Sequence, residues 1–289
     1  MSSDEPSQGG RLSGLAYVIA GVGLLATSPV LTRYAAPLSP IEITFWRLAI
    51  AGGAVLVAAS LAGQIAQLSL AAAPRFLVYG LVAALHFLTY VASLSFTTIA
   101  HALAITYTAP VFVALFSAWV LGESLERRKY AGIALTVAGI GILAGFEPEL
   151  SVGIVFGDLL ALASAITFGV YSVMGRYERT RYSLLSYAGA VYTGAAIWLL
   201  PAALWQWTGA YEPRTVGSVL WLGLLPLALG HTLYNASLRR VHATYVNLIA
   251  TQEVTGGILL GYLILGETPS LNSLLGAAVA LVGIIFVLL

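Results

Sequence analysis

Charged side chains are scarce in this 289-residue chain, so the few that fall inside long apolar runs are examined first. The most polar patch within any such run is Asn247, Thr251, Gln252 and Glu253, in the segment NLIATQEVTGG. An ionisable group held away from water is costly and calls for an explanation. Glu253 has two chemical uses open to it. It could exchange a proton, or it could face the ammonium of a bound molecule. The structural alternative is a pair with Arg47, the one Lys or Arg lying within a run and away from its ends. Arg47 sits within about two turns of Pro40, and at roughly 1.5 Å per residue that is shallow enough for its head to snorkel to water.

Other polar groups recur at helical spacing. Tyr79, Ala83, His86 and Tyr90 are separated by four, three and four residues, which puts them on one face of a helix. Tyrosines stack on apolar matter and His86 can donate or accept a hydrogen bond, so the stripe suits a wet cavity; the same groups also serve as interhelical glue. His231, Tyr234 and Asn235 cluster on neighbouring turns of a later run. Packing there is as good a reading as binding for His231. Tyr107 lies one turn before Pro110. A proline frees the carbonyl four residues back, here Thr106, and permits a kink. Gly52-Gly53 and Gly256-Gly257 are candidate hinges beside Pro110, and Gly257-x-x-x-Gly261 and Gly141-x-x-x-Gly145 suit backbone-to-backbone packing. Asp158 falls in the first turn of its run, where an acid complements the helix dipole; Glu123 and Glu267 read as caps or loop anchors. Trp119, near a run's end, reads as an interfacial aromatic.

The elements that must position these residues follow from composition. The chain is 59% hydrophobic and 9% charged, whereas a soluble domain carries roughly 25% charged residues. Its solvent is therefore partly lipid. A bilayer core of about 30 Å takes roughly 20 helical residues. Ten runs have suitable length: Leu12–Tyr34, Pro40–Ala62, Pro74–Phe96, Ala100–Leu121, Tyr130–Gly145, Val155–Tyr177, Leu184–Trp207, Val216–Leu238, Ala243–Leu265 and Ser270–Leu289. Residues 1–11 form a polar tail with Asp4 and Glu5, which is unlike the basic start of a secretory signal, so the first run is expected to stay as a helix. With the N-terminus in the cytoplasm, Arg11, Arg75, Arg127, Arg128, Lys129, Arg176, Arg179, Arg181, Arg239 and Arg240 fall inside, and only Arg33 and Arg214 outside. Ten against two satisfies the positive-inside rule and puts both termini in the cytoplasm.

The chain also repeats itself. At an offset of 144 residues, YVASL (Tyr90–Leu94) returns as YNASL (Tyr234–Leu238), and LGE at Leu121–Glu123 returns at Leu265–Glu267. Ala84-Leu85 returns as Ala228-Leu229, and Gly132 and Gly139 as Gly276 and Gly283; Arg33-Tyr34 returns one residue early as Arg176-Tyr177. Each half, 12–145 and 155–289, holds five runs, and an odd number makes the second half enter the membrane from the opposite side. The expected fold is all-α, with ten transmembrane helices arranged as two inverted five-helix repeats. Such pairs favour transport by alternating access.

The segments FWRLAIAGG (Phe45–Gly53), YTAPVFVALFSAWVLGESL (Tyr107–Leu125), GIALTVAGIGIL (Gly132–Leu143) and the second LGE resemble the drug/metabolite transporter superfamily, in particular its EamA-type members. The aromatic content and size are similar to exporters of aromatic amino acids. The resemblance implies gradient-driven export or exchange of amino acids or similar amphipathic metabolites, multi-pass, in a bacterial inner (plasma) membrane. It implies a substrate site among Tyr79, His86, Tyr90, Tyr107, Tyr234, Asn235, Gln252 and Glu253. One departure stands out. The family often repeats the proline of the fourth run, but the position matching Pro110 is Val254, so the ninth helix is expected to be straighter and more polar than the fourth.

Other classes lack parts. No HExxH, GxSxG or phosphate-binding loop occurs, and no intramembrane aspartate pair, so an enzyme is not expected. No cofactor or metal is implied, and cysteine is absent. A net charge of +1 argues against nucleic acid. The expected partners are a small-molecule substrate and membrane lipid. The oligomeric state stays open, with a monomer compatible. A nucleotide-like substrate would call for several intramembrane cations, and only Arg47 qualifies.

Overall fold

The computed structural model describes residues 8–97, 99–122, 126–144, 151–266 and 271–288. Among these residues all regular structure is helical. The helices are α1 (Gln8–Leu25), α2 (Ser28–Tyr34), α3 (Pro40–Leu61), α4 (Ala73–Phe96), α5 (Ile99–Thr106), α6 (Ala109–Phe116), α7 (Arg127–Ala144) and α8 (Val152–Tyr177). They are followed by α9 (Leu184–Trp205), α10 (Pro213–Leu222), α11 (Thr232–Leu238), α12 (Ala243–Ala250), α13 (Gln252–Leu260) and α14 (Leu271–Leu288). Seven helical spans are long and apolar enough to cross a bilayer: Gly9–Tyr34, Pro40–Leu61, Leu70–Phe96, Val155–Thr180, Leu184–Trp205, Pro213–Leu238 and Ala243–Leu265. Ala109–Leu121 and Leu274–Phe286 are shorter apolar helices.

Local chemistry sets where these helices start and bend. Ser39 and Glu42 form a capping box at α3, with Pro40 in the first turn, where its missing N–H costs nothing. Three spans break in the middle, and each break carries a threonine that hydrogen-bonds back to the carbonyl three residues earlier. Thr27 Oγ1 donates to Leu24 at 2.7 Å between α1 and α2. Thr108 Oγ1 donates to Ile105 at 2.8 Å between α5 and α6. Thr251 Oγ1 donates to Leu248 at 2.5 Å between α12 and α13. Such back-bonds compete with the helical ladder and bend it. Pro29 and Pro110 follow the first two breaks. The ninth run has no such proline and was expected to be straighter, yet it breaks as the fourth does, because Thr251 supplies the competing bond.

Two five-residue π-helical turns, Ser117–Leu121 and Gly261–Leu265, stand 144 residues apart. Each ends on a left-handed glycine, Gly122 (φ 65°) and Gly266 (φ 72°), a conformation that side chains with a Cβ resist. A third π segment, Gly223–His231, surrounds Pro226.

The packing partners are α7 with α14, α3 with α9, α4 with α8, α1 with α11 and the π segment before it, α6 with α12, and α5 with α13. A shift of 144 residues carries α7 onto α14 exactly, and α3 onto α9. It carries α4 onto the α10–α11 span, and α1–α2 onto α8 to within a residue. Exchanging the halves therefore maps this set of partners onto itself. Where α7 meets α14, a Cβ on Gly139 would stand 2.8 Å from the Ala280 Cα, and one on Gly283 would stand 2.5 Å from the Thr136 nitrogen. These repeat-related glycines let the two backbones touch.

Several expectations change here. Gly141 faces open space, so it is not a packing glycine, and Gly145 lies outside the described residues. Gly52 is a contact point, with its Cβ position 2.9 Å from the Thr193 nitrogen on α9, whereas Gly53 faces open space. α3 runs unbroken through both, and α13 runs unbroken through Gly256 and Gly257, so the bends fall at the threonines. α8 begins at Val152, which moves Asp158 beyond the first turn. Glu123 and Glu267 lie outside the described residues.

We expect Gly283→Leu to lower the melting temperature in detergent markedly, since overpacking costs about 1–3 kcal/mol, while Gly53→Ala leaves it unchanged or slightly raised. Equal effects would show that the α7–α14 contact is not tight.

Candidate functional site

The polar residues of the interior converge on one central cavity. It is lined by Leu25, Ser28, Arg47, His86, Phe87, Tyr90, Thr106, Tyr107, Phe168, His231 and Glu253. Every one of these residues is buried. The cavity measures about 20 Å³, room for about one water.

The three helix breaks place this lining. Leu25 and Ser28 flank the first, Thr106 and Tyr107 the second, and Glu253 follows the third. Tyr107 donates its hydroxyl to Glu253 Oε2, and Tyr90 donates to Glu253 Oε1 at 3.4 Å. The carboxylate is thus held by two phenols from different helices. Arg47 enters from α3, with its guanidinium carbon 5.0 Å from the Phe87 ring centre. Arg47 Nε and Nη1 are buried and have no hydrogen-bond partner among the described residues. Arg47 and Glu253 attract each other across the cavity, but no ion pair joins them among the described residues.

Aromatic rings form one wall. His86 stacks on Phe168 with centroids 4.6 Å apart and 12° between planes, and Tyr171 extends the stack. Phe87 meets His231 edge-on at 4.9 Å. Ser164 orients His86: its Oγ is 3.0 Å and its carbonyl oxygen 3.2 Å from Nδ1.

Of the residues read from the sequence, His86, Tyr90, Tyr107 and Glu253 come together. Tyr79 does not join them. Its hydroxyl donates to Glu178 at 2.6 Å, beside Arg75. It lines instead an apolar crevice of about 270 Å³ with Phe116, Val170 and Tyr177. A matching crevice of about 280 Å³, with Thr27, Tyr34, Leu260 and Ile264, sits at the repeat-related position. Both crevices are larger than the central cavity, but they lack its charges. Tyr234 pairs with Ser172 at 2.5 Å, and Asn235 donates to Tyr171 at 2.8 Å and Tyr192 at 3.4 Å, both behind the lining. Gln252 accepts from Thr255 and also lies off the cavity.

Arg47 is the largest revision. Snorkelling was expected; the residue is 1% exposed and turned inward. The segment after α9 closes the end of α3. The Thr208 N–H and the Tyr211 hydroxyl donate to Glu42 at 2.9 and 3.0 Å, and Trp46 donates to Tyr211 at 3.0 Å. Burial raises the Tyr211 hydroxyl above its ordinary range, which keeps it a donor there. Depth along a helix therefore does not measure access to water here. Sequence reasoning also missed Phe87 and Phe168 and left His231 open. The repeat held the signal: Phe87 and His231 are 144 residues apart, Leu25 and Phe168 are 143 apart, and all four line the cavity.

Residues 12–145 and again 155–289 match the EamA-like transporter family. An uncharacterized transporter of Archaeoglobus fulgidus is 30% identical over 210 residues, covering 71% of this chain and 73% of its own. The pseudopaline exporter of Pseudomonas aeruginosa is 27% identical over 280 residues, with 94% of each chain covered. A protein of Streptantibioticus cattleyicolor named "Probable terminal-alkyne amino-acid exporter" is 26% identical and covers 62% of this chain and 60% of its own. A solved crystal structure superimposes with a TM-score of 0.80 at 20% identity, over 95% of this chain and 96% of the other, which is a likeness of fold.

Asn235→Ala should remove the donor that holds two buried phenols, costing about 1–3 kcal/mol. Because Asn235 lies behind the lining, the melting temperature should fall while the concentration of substrate giving half-maximal transport stays within about twofold of wild type. A large rise in that concentration at unchanged stability would move Asn235 into the binding site.

Proposed function

This chain belongs to the EamA-like transporter family, and from that premise we propose that it exports or exchanges amino acids, aromatic or large neutral ones first, or similar small amphipathic metabolites, by alternating access. It is a multi-pass integral membrane protein, and a transporter role follows from the family. The observation that carries the finer reading is the central cavity. It is small, its lining is buried and drawn from both halves, and it combines a cation, a carboxylate and stacked rings. A buried cavity with room for about one water supports a carrier over a continuous pore. One relative's name is that of an amino-acid exporter, which agrees with this substrate class.

In this proposal ten helices cross the membrane as two inverted repeats, with both termini cytoplasmic. The basic end, with Arg75, Tyr79, Glu178 and Tyr182, closes the inner side. The cap formed by Glu42, Trp46, Thr208 and Tyr211 closes the outer side. Bending at the threonine breaks opens one side at a time. A room of about one water must expand to admit an amino acid, and the breaks allow helix halves to move without exposing unpaired backbone to lipid.

Counterflow in proteoliposomes tests the transport reading. Labelled phenylalanine, tyrosine or leucine outside should accumulate transiently against unlabelled amino acid inside. Flux that is linear in concentration and shows no counterflow would point to a pore. The absence of native cysteine makes a second test clean. Ser69→Cys should react with an impermeant maleimide only from the cytoplasmic side, and Gln206→Cys only from the opposite side. The same sidedness for both would overturn the ten-crossing topology.

A further inference from the structure

The unpartnered guanidinium of Arg47 has no role in the packing described above. A buried cation usually survives because hydrogen bonds and an opposite charge compensate it. Here Nε and Nη1 have neither hydrogen-bond partner nor ion pair among the described residues, although a carboxylate lines the same cavity. Glu253 makes no ion pair with it among the described residues; Tyr90 and Tyr107 donate to its two oxygens instead. Both charged groups line one cavity. Phe87, His86 and Phe168 line it with them as an aromatic wall.

We propose that this cavity recognises its substrate as a zwitterion, with the Arg47 guanidinium binding the carboxylate, Glu253 binding the ammonium, and the His86–Phe87–Phe168 wall receiving an apolar side chain. The inference rests on the transporter reading and assigns the two ends of the substrate. A guanidinium presents planar pairs of N–H groups that match a carboxylate with two parallel hydrogen bonds. A bare amine would meet Glu253 but leave Arg47 buried and uncompensated beside a second cation. A bare carboxylate would satisfy Arg47 and be repelled by Glu253. A molecule carrying an ammonium and a carboxylate on one carbon compensates each group at once and leaves the cavity neutral. The two phenols take two of the roughly four acceptor sites of the Glu253 carboxylate, and the others remain for an ammonium.

The repeat supports a dedicated role. The positions 144 residues from Arg47 and Glu253 are Val191 and Ala109, so neither charge is a by-product of the duplicated scaffold.

The test uses ligand-induced stabilisation of the purified full-length protein in detergent, which does not depend on transport. Phenylalanine, tyrosine, tryptophan, leucine, methionine and valine are each compared with the matching decarboxylated amine and deaminated acid. For wild type, at least one amino acid should raise the melting temperature at a tenfold lower concentration than either of its analogues. Arg47→Gln should abolish the preference over the amine and keep the preference over the acid. Glu253→Gln should do the reverse, and Arg47→Lys should restore part of the carboxylate requirement. The Lys variant also separates lost recognition from lost folding. An amine or acid that protects wild type as well as the amino acid would overturn the inference, and so would unchanged discrimination in both variants. If the panel gives no protection in protein that melts cooperatively, zwitterion recognition is likewise excluded. Counterflow of any other metabolite would then leave the transporter reading standing.

Discussion

Inside a bilayer each backbone N–H and C=O must find its partner within the protein, since lipid offers none. That constraint makes this chain helical wherever it meets lipid, and it makes each interruption costly. The protein interrupts its helices where the freed groups are buried and a side chain can answer for them. Thr27, Thr108 and Thr251 each donate to a carbonyl three residues back, and each break adjoins the central cavity. The bends and the cavity therefore have one origin. A helix that turns aside leaves a space, and the residues beside the turn line it.

The cavity then holds two opposite charges without letting them meet. Tyr90 and Tyr107 occupy Glu253, while Arg47 leans over Phe87. A direct pair would neutralise the site and fill it. Separation leaves the Arg47 Nε and Nη1 without a partner among the described residues, and Ser164 fixes His86 within the aromatic stack beside them. Closure on the Arg47 side depends on a loop, because Glu42 gathers Ser39, Thr208 and Tyr211 into one knot above α3.

Symmetry and chemistry part company in this molecule. The π-helical turns, their left-handed glycines, the α7–α14 contact and the paired apolar crevices all recur at the same shift. The cavity's two charged groups, Arg47 and Glu253, do not recur. Tyr90 and Tyr234 are exact repeat mates, yet one reaches Glu253 and the other Ser172. The duplicated frame supplies two similar sets of helices, and positions that break the repeat supply the charges of the cavity.

Composition alone established a helical membrane protein, because a chain with 9% charged residues cannot coat itself for water. Spacing alone established the duplication and the face shared by His86 and Tyr90, since both are properties of residue order. Glu253 stood out for the same reason, as a lone carboxylate in an apolar run. Tertiary structure decided the rest. Tyr79 shares the helical face of His86 but lies two turns nearer the basic end, where Glu178 claims it. Arg47 has the sequence position of a snorkelling residue, yet it is buried and lines the cavity, while the segment after α9 caps the end of α3 through Glu42. The ninth span bends without the expected proline because a hydroxyl can compete for a carbonyl as effectively as a missing N–H can release one. Periodicity says which residues share a face; which neighbour covers that face is a matter of contacts between segments far apart in the chain.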